Sequence, residues 1–339
     1  MTETPLLSVR DLVVEFPTRR GTLRALDKVS FDIRPGEVLG MVGESGAGKS
    51  LTGAAIIGLL EPPGRIAGGE IRLQGARIDT LSPEAMRKVR GRRIGMVFQD
   101  PLTSLNPLYT VAQQLIETIR THDDVSESAA RARAVALLDR VGIPAAARRI
   151  DDYPHQFSGG MRQRVVIALA LCAEPELVIA DEPTTALDVS VQAQIIDLIK
   201  EICAERGASV LLITHDMGVI AETADRVAVL YAGRLAELGP VRDVITAAEH
   251  PYTRGLMGSI PTLTQETTRL VQIPGAMPRL NAIPRGCAFN PRCPEVFDRC
   301  RTERPEPVAR PGGRQVACWL HAEELAETGA NVSAEGSHG

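Results

Sequence analysis

Long apolar runs, a secretion signal and a dominant positive charge are all lacking in this chain of 339 residues. The longest uninterrupted apolar run, Val165 to Ala173, is far shorter than the ~20 residues that a membrane-spanning helix requires. The N-terminus has no signal-peptide pattern. The net charge of −4 provides no basic field, so we expect no nucleic-acid partner. We therefore expect a chain that stays in the cytosol, either alone or docked to another protein.

Composition predicts a globular protein with more than one part. The length suits two domains, and a content of 44% hydrophobic residues fills a substantial core. After Gly239 the proportions of Pro and Arg rise, and helical periodicity fades beyond Met257. We therefore place a domain boundary near residue 240.

Residues 43–50 read GESGAGKS and fit the phosphate-binding pattern G-x-x-x-x-G-K-[ST] at every fixed position. An apolar strand is predicted over residues 37–42 and an apolar helix over residues 51–60, which is the context this motif needs. Backbone N–H groups and the helix N-terminus would surround a phosphate. Lysine would reach the outer phosphates and serine would bind Mg²⁺. The loop alone does not separate an ATPase from a GTPase, kinase or helicase. The nucleotide-binding candidates are Gly43, Ser45, Gly46, Gly48, Lys49 and Ser50.

Polar residues end three further apolar segments. Gln99 follows residues 94–98, Asp181 and Glu182 end residues 177–183, and His215 follows a segment that ends at Thr214. At the carboxyl edge of a sheet, Asp181 would hold Mg²⁺ and Glu182 would polarise an attacking water. The alternatives are a pair of acids capping a turn and a structural histidine.

A second anion-binding pattern lies at Ser158-Gly159-Gly160, just before the apolar helix predicted from Val165 to Cys172. A hydroxyl and free N–H groups at a helix entrance suit a phosphate. Phe16 ends a strand predicted from Leu7 and is either an ordinary sheet residue or a platform for an adenine ring.

Two further features leave alternatives open. The basic run at residues 87–93 is either a solvated face or a contact for phosphate or an acidic partner. Helical periodicity over residues 110–119 and 126–141 predicts a helical insertion.

Together these motifs resemble the ATP-binding subunit of an ABC transporter over residues 7–239, with Phe157 to Met161 as a variant of the ABC signature. The resemblance implies an α/β P-loop NTPase fold with a RecA-like core, an antiparallel β subdomain, a helical signature subdomain at about 100–164 and a small Cys-containing C-terminal extension. It implies domains at 1–240 and 241–339, with a disordered tail at about 325–339. By this resemblance Phe16 matches the A-loop aromatic, Gln99 the Q-loop glutamine, and Asp181 with Glu182 the Walker B pair. Asp188 matches the D-loop aspartate, and His215 matches the switch histidine.

The resemblance also implies how the second anion site works. Two such domains stack head to tail, and Ser158 to Gly160 of one contacts the γ-phosphate held by Lys49 of the other. ATP with Mg²⁺, bound also by Ser50 and Gln99, would then close a dimer that reopens after hydrolysis.

The finer resemblance is to the D-type ATPase subunits of dipeptide and oligopeptide importers, carried by residues 99–107, 153–164, 181–190 and 250–253. It implies a second, F-type ATPase subunit, two transmembrane permeases and an extracytoplasmic peptide-binding protein, with this chain peripheral on the cytoplasmic face of the membrane. Nickel and glutathione are rival cargoes. Two rival hypotheses for the function are an exporter subunit and a soluble ABC ATPase that acts on ribosomes or DNA.

Four cysteines lie in the extension, at Cys287, Cys293, Cys300 and Cys318. A reducing compartment favours metal over disulfides, yet none of the spacings is the C-x₂₋₄-C of common zinc sites. Four thiolates suit a [4Fe–4S] cluster, which the resemblance also suggests, while zinc and unligated thiols remain alternatives.

Overall fold

Two β-sheets organise the chain. The computed structural model describes residues 4–184, 189–258 and 273–321. Within those ranges one sheet has the strand order β2-β1-β4-β5 and the other the order β11-β12-β10-β9-β3-β8-β7-β6. The strands are β1 (Leu7–Thr18), β2 (Gly21–Ile33), β3 (Val38–Val42), β4 (Arg65–Leu73), β5 (Ala76–Arg77), β6 (Ile94–Val97), β7 (Leu177–Asp181), β8 (Ser209–Ile213), β9 (Arg226–Tyr231), β10 (Arg234–Pro240), β11 (Val308–Arg310) and β12 (Arg314–Val316).

Helices connect these strands and cover the larger sheet. They are α1 (Lys49–Ile56), α2 (Pro83–Val89), α3 (Pro101–Ser104), α4 (Val111–His122), α5 (Glu127–Arg140), α6 (Ala146–Arg149), α7 (Gly159–Leu171), α8 (Val189–Arg206), α9 (Met217–Thr223), α10 (Val241–Thr246), α11 (Pro251–Met257) and α12 (Asp298–Thr302). Short 3₁₀ turns lie at Pro154–Gln156, Leu280–Ala282, Asn290–Arg292, Pro311–Gly313 and Trp319–His321. In the described ranges no helix combines the length and apolar character needed to cross a bilayer.

The centre of the larger sheet is parallel. Strand β3 pairs in parallel with β8 and β9, and β7 pairs in parallel with β8 and β6. All five residues of both β7 and β8 are buried, which explains their continuous apolar sequences. Because parallel strands end at the same edge, the residues that follow β3, β6, β7 and β8 meet there.

The smaller sheet is antiparallel, as the sequence predicts. Strand β1 pairs with β2 and β4, with Leu7 opposite both Ile33 and Leu73. Buried positions in the first part of β1 include Leu7, Val9, Leu12 and Val14, all fully enclosed. These side chains form one core with the residues of β3 and α1, so the antiparallel sheet lies directly beside the phosphate loop.

The two helices predicted after residue 110 are present as α4 and α5, and capping side chains set where they begin. Thr110 accepts a hydrogen bond from the backbone N–H of Gln113, whose side chain accepts one from the N–H of Thr110, which forms a capping box at the start of α4. Ser126 caps α5 by accepting from the N–H of Ala129.

Two predicted helix boundaries differ from the structure. Helix α1 ends at Ile56 rather than residue 60, because Gly58 adopts φ +65° and the chain turns there. Helix α7 begins at Gly159, before the predicted Val165, because Ser158 caps it and its first turns are polar.

The basic run at residues 87–93 is partly used inside the domain. Arg90 donates to the carbonyl oxygens of Ile57 and Gly58. Arg93 binds the Glu176 carboxylate through two hydrogen bonds of 2.9 Å. These arginines therefore join neighbouring segments.

The C-terminal extension is joined to the larger sheet. Strand β12 pairs with β10, with Val316 opposite Glu237, and β11 pairs with β12. Arg314 donates a 2.8 Å ion-pair hydrogen bond to the fully buried Glu237. Arg304 binds Asp27 of β2 at 2.8 Å. The described residues C-terminal to 240 therefore pack on the rest of the chain through strand pairing and buried ion pairs.

Candidate nucleotide site

The phosphate loop follows β3 and leads into α1, as predicted. Gly43 adopts φ +150°, and a Cβ atom there would collide with the carbonyl oxygen of Leu230. Gly48 adopts φ +105° immediately before α1, and a Cβ atom would lie 2.6 Å from Leu26. Both the backbone conformation and the close packing therefore require glycine at these two positions.

Lys49 is held inside the loop. Its side chain is buried, and Nζ donates to the carbonyl oxygens of Gly43 at 2.8 Å and Glu44 at 3.3 Å. Burial lowers the pKa of Lys49, and the nearby Glu182 and Asp181 carboxylates oppose that change. The amine therefore lies between the loop carbonyls and two acids, near the place expected for the outer phosphates.

Asp181 and Ser50 provide adjacent oxygens suited to Mg²⁺. Ser50 Oγ donates to Asp181 Oδ1 at 2.9 Å. Burial raises the pKa of Asp181; the Ser50 hydrogen bond and Lys49 oppose this rise, and the Glu182 charge adds to it. A divalent cation would offset the cost of keeping this carboxylate charged, and its hard oxygen ligands fit Mg²⁺. The donor set therefore fits the predicted metal.

Glu182 lies where the ends of β6, β7 and β8 meet. Gln99 Nε2 donates to Oε2 of Glu182 at 3.2 Å, and Nδ1 of His215 lies 3.4 Å from Oε1. The backbone N–H of Glu182 donates to Ile213 at the end of β8. Glu182 adopts φ +44°, a left-handed conformation that is uncommon for a residue with a side chain. The structure therefore brings together the three residues predicted to act in hydrolysis.

Phe16 lies on the antiparallel sheet. It pairs with Leu23 across β1 and β2, is half-buried, and closely contacts the backbone position of Gly64, where an added Cβ would lie 2.7 Å from Cε1 of the ring. Its predicted role as an adenine platform stays a prediction.

The second anion-binding pattern opens α7. Ser158 is the N-cap residue, and its Oγ accepts from the N–H of Met161 at 3.3 Å. A Cβ atom added to Gly159 would meet nothing within 4 Å. Ser158, Gly159 and Gly160 thus form a helix entrance with open space in front of Gly159. The predicted D-loop aspartate, Asp188, lies outside the described residues, as does the predicted disordered tail at about 325–339.

The four cysteines of the extension line one small cavity, together with His250 and Phe289. Cys287 N–H donates to the carbonyl of Cys300 at 2.9 Å. In the described ranges, however, no three His, Cys, Asp or Glu side chains are arranged to hold a metal ion. Burial raises the pKa of Cys318 to about 12 and raises those of Cys287 and Cys293, which favours neutral thiols over thiolates. The geometry of the described residues therefore does not support the predicted [4Fe–4S] cluster or its zinc alternative.

One set of contacts to the phosphate loop was not predicted from the sequence. Arg292 and Tyr252, both C-terminal to residue 240, bind Glu44. The sequence around Tyr252, HPYT, is a signal that could have directed attention to this segment.

Comparisons with known proteins agree with this geometry. The family model described as ABC transporter matches residues 26–185, and the model described as oligopeptide/dipeptide transporter, C-terminal region, matches residues 236–300. The chain is similar to the dipeptide transport ATP-binding protein DppD of Bacillus subtilis, with 49% identity over 93% of this chain and 94% of that protein. It is 45% identical to DppD of Escherichia coli over 92% and 96% of the two chains.

Among solved structures, the dimeric ATP-binding cassette MJ0796 bound to ADP and Pi has a TM-score of 0.63 and 28% identity, covering 70% of this chain and 99% of that one. This likeness confirms the α/β ABC ATPase fold. Taken with the relatives, it shows that the chain belongs to the family of ABC transporter ATP-binding subunits of the dipeptide and oligopeptide type.

Proposed function

We propose that this chain is the ATP-hydrolysing motor subunit of an importer for dipeptides or oligopeptides. One observation carries the proposal: the Glu182 carboxylate is held between Gln99 and His215, beside the Ser50–Asp181 pair of the phosphate loop. A base, an amide and a histidine at one sheet edge suit activation of a water next to a bound γ-phosphate.

Each residue has a distinct task in this proposal. The N–H groups of the loop and Lys49 bind the phosphates. Ser50, Asp181 and Gln99 would hold Mg²⁺, which would supply positive charge to neutralise the bound phosphates. Glu182 accepts a proton from the attacking water, and His215 holds the carboxylate and contacts the γ-phosphate side of the site.

The site is completed by a second subunit. Ser158, Gly159 and Gly160 open α7 beside unoccupied space, and an entrance of this kind suits the γ-phosphate bound to another copy of the fold. The likeness to the dimeric cassette MJ0796 supports this arrangement. ATP would bind both faces and close the dimer, and loss of the γ-phosphate would reopen it.

The likeness to dipeptide transport ATP-binding proteins supports a proposal for the partners. We propose a related F-type ATPase subunit as the second motor, two transmembrane permeases, and an extracytoplasmic peptide-binding protein that supplies cargo. The chain would be peripheral on the cytoplasmic face of the membrane. We further propose that residues 1–240 form the nucleotide-binding domain, with a helical subdomain at about 100–164, and that residues 241–339 form the extension.

Reconstitution tests both the motor and its cargo. The chain is co-expressed with the proposed F-type subunit, permeases and peptide-binding protein and placed in proteoliposomes, with the Glu182→Gln variant as the matched control. We expect dipeptide or oligopeptide to stimulate ATP hydrolysis in the wild type only. Uptake of nickel or glutathione in place of peptide would overturn the cargo, and recovery with ribosomes or DNA but no membrane protein would overturn the importer.

A further inference from the structure

The C-terminal extension contacts the phosphate loop through Arg292. Its two terminal guanidinium nitrogens donate to the Glu44 carboxylate, Nη1 to Oε2 at 2.6 Å and Nη2 to Oε1 at 2.9 Å. The Arg292 side chain is only 6% exposed. A buried fork of this kind fixes the direction of the carboxylate as well as its charge.

Arg292 is itself held by the chain that lies next to the loop. Its Nε donates to the carbonyl of Pro274 at 2.8 Å, and Nη2 contacts the carbonyls of Ile273 and Gly275 at 3.3 and 3.4 Å. The same segment continues to Met277, whose sulfur would lie 3.9 Å from a Cβ at Gly46. Residues 273–277 therefore pack against the phosphate loop itself.

Tyr252 provides a second anchor. The backbone N–H of Glu44 donates to the Tyr252 hydroxyl at 2.8 Å. Tyr252 is fully buried, and its ring packs against Tyr231 and Phe289 with centroid distances of 4.6 and 5.4 Å. Packing therefore holds the hydroxyl in place.

These anchors act on a residue that also contacts the loop lysine. The carbonyl of Glu44 accepts from Lys49 Nζ at 3.3 Å, next to the 2.8 Å bond from Lys49 to Gly43. The extension thus fixes both the side chain and the N–H of Glu44, and its carbonyl helps to place the amine that reaches for phosphate.

We propose that Arg292 and Tyr252 are positioning residues of the nucleotide site, through which the C-terminal extension sets the affinity of the phosphate loop for ATP. This inference rests on the proposed function, because it assumes that the loop binds ATP. By linkage, ATP binding would strengthen the docking of the extension by the same factor.

Binding of mant-ATP with Mg²⁺ to the full chain tests the inference. The variants are Arg292→Ala, Arg292→Lys and the nearly isosteric Tyr252→Phe. The matched control is Arg304→Ala, which removes an extension contact to Asp27 without touching the phosphate loop. Hydrolysis rates at saturating ATP and thermal unfolding are measured on the same samples.

We expect Arg292→Ala to raise the Kd for mant-ATP about tenfold, with kcat changed less than twofold. Tyr252→Phe should raise the Kd roughly threefold, and Arg292→Lys should restore part of the affinity. In a Glu44→Gln background the effect of Arg292→Ala should disappear. Arg304→Ala should lower stability and leave the Kd unchanged.

If Arg292→Ala and Arg304→Ala lower the unfolding temperature equally and neither changes the Kd, Arg292 only attaches the extension and the inference is wrong. A wild-type chain that neither binds nor hydrolyses ATP would instead contradict the proposed function, so the two failures are distinguishable.

Discussion

The hydroxyl of Ser50 donates a 2.9 Å hydrogen bond to Oδ1 of Asp181, which joins the phosphate loop to the end of β7. Asp181→Asn keeps an acceptor for this bond but removes the charge that would face Mg²⁺. We expect hydrolysis to fall at least about a hundredfold, measured by phosphate release over a Mg²⁺ titration. Asp139→Asn, at an exposed carboxylate of α5, is the control. An unchanged rate and Mg²⁺ midpoint in Asp181→Asn would remove Asp181 from the metal site.

A substitution at Gly159 is expected to lower activity without lowering stability. A methyl group there meets nothing within 4 Å, and alanine favours a helix, so Gly159→Ala should unfold at the same free energy as the wild type or up to about 0.5 kcal/mol higher. If a partner's γ-phosphate lies at this position, hydrolysis should still fall at least about tenfold. The control is Gly68→Ala, whose added methyl makes only ordinary contact with Val13. Stability is measured by urea unfolding and activity by phosphate release on the same sample. Full activity in Gly159→Ala would argue against a site shared by two subunits.

Lys49 is expected to be needed for closure as well as for hydrolysis. Lys49→Ala removes the buried amine that contacts Gly43 and Glu44, so the loop loses its main cation for the outer phosphates. We expect no ATP-dependent association in sedimentation velocity and at least about a hundredfold slower hydrolysis. Lys200→Ala, at an exposed position on α8, should behave as the wild type. ATP-dependent association by Lys49→Ala would separate closure from this lysine.

The burial of His250 is expected to make the protein less stable in acid. It is buried at the start of α11, where Nδ1 accepts from the N–H of Tyr252 at 3.0 Å, and burial lowers its pKa to about 3. Because the folded pKa lies below the unfolded value, this stability is present above about pH 6.5 and is lost as the pH falls toward 3. The slope from this group approaches about 1.4 kcal/mol per pH unit.

Urea unfolding at pH 7 and pH 5 tests that slope. His250→Asn keeps a helix-capping oxygen and should lose up to about 2 kcal/mol less than the wild type between the two pH values. His155→Asn, at an exposed histidine, should keep the wild-type slope. Equal slopes for the wild type and His250→Asn would show that His250 does not set the acid sensitivity.

Local sequence signals were sufficient to place Gly43, Gln99, Glu182 and His215 at one edge of the sheet and to predict most of the core strands. The strands before Gly43, Gln99, Glu182 and His215 are continuous apolar runs, and parallel pairing brings their ends to one edge. The loop motif by itself indicates phosphate binding. Because the strands end at one edge, these residues could be placed together from sequence alone.

Contacts made by the extension gave no comparable signal. Strands β11 and β12 each span only three residues, which is too short for an alternating pattern to be recognised. The Arg292–Glu44 pair joins positions 248 residues apart, and no local periodicity encodes such a partner. The prediction of a metal cluster at the four cysteines is without support for a related reason, because spacing in sequence does not fix whether thiols converge with ligand geometry.

Glu182 is proposed to activate water at a site shared by two subunits. Glu182→Gln keeps the size of the side chain held by Gln99 and His215 but removes the base. The measurement is phosphate release together with sedimentation velocity in Mg²⁺-ATP, using the chain alone and with its partner ATPase subunit. We predict hydrolysis at least about a hundredfold slower, with ATP still bound and the closed dimer accumulating. An unchanged hydrolysis rate, or a variant that stays monomeric with ATP in both samples, would contradict the role of Glu182 as the base of a shared site.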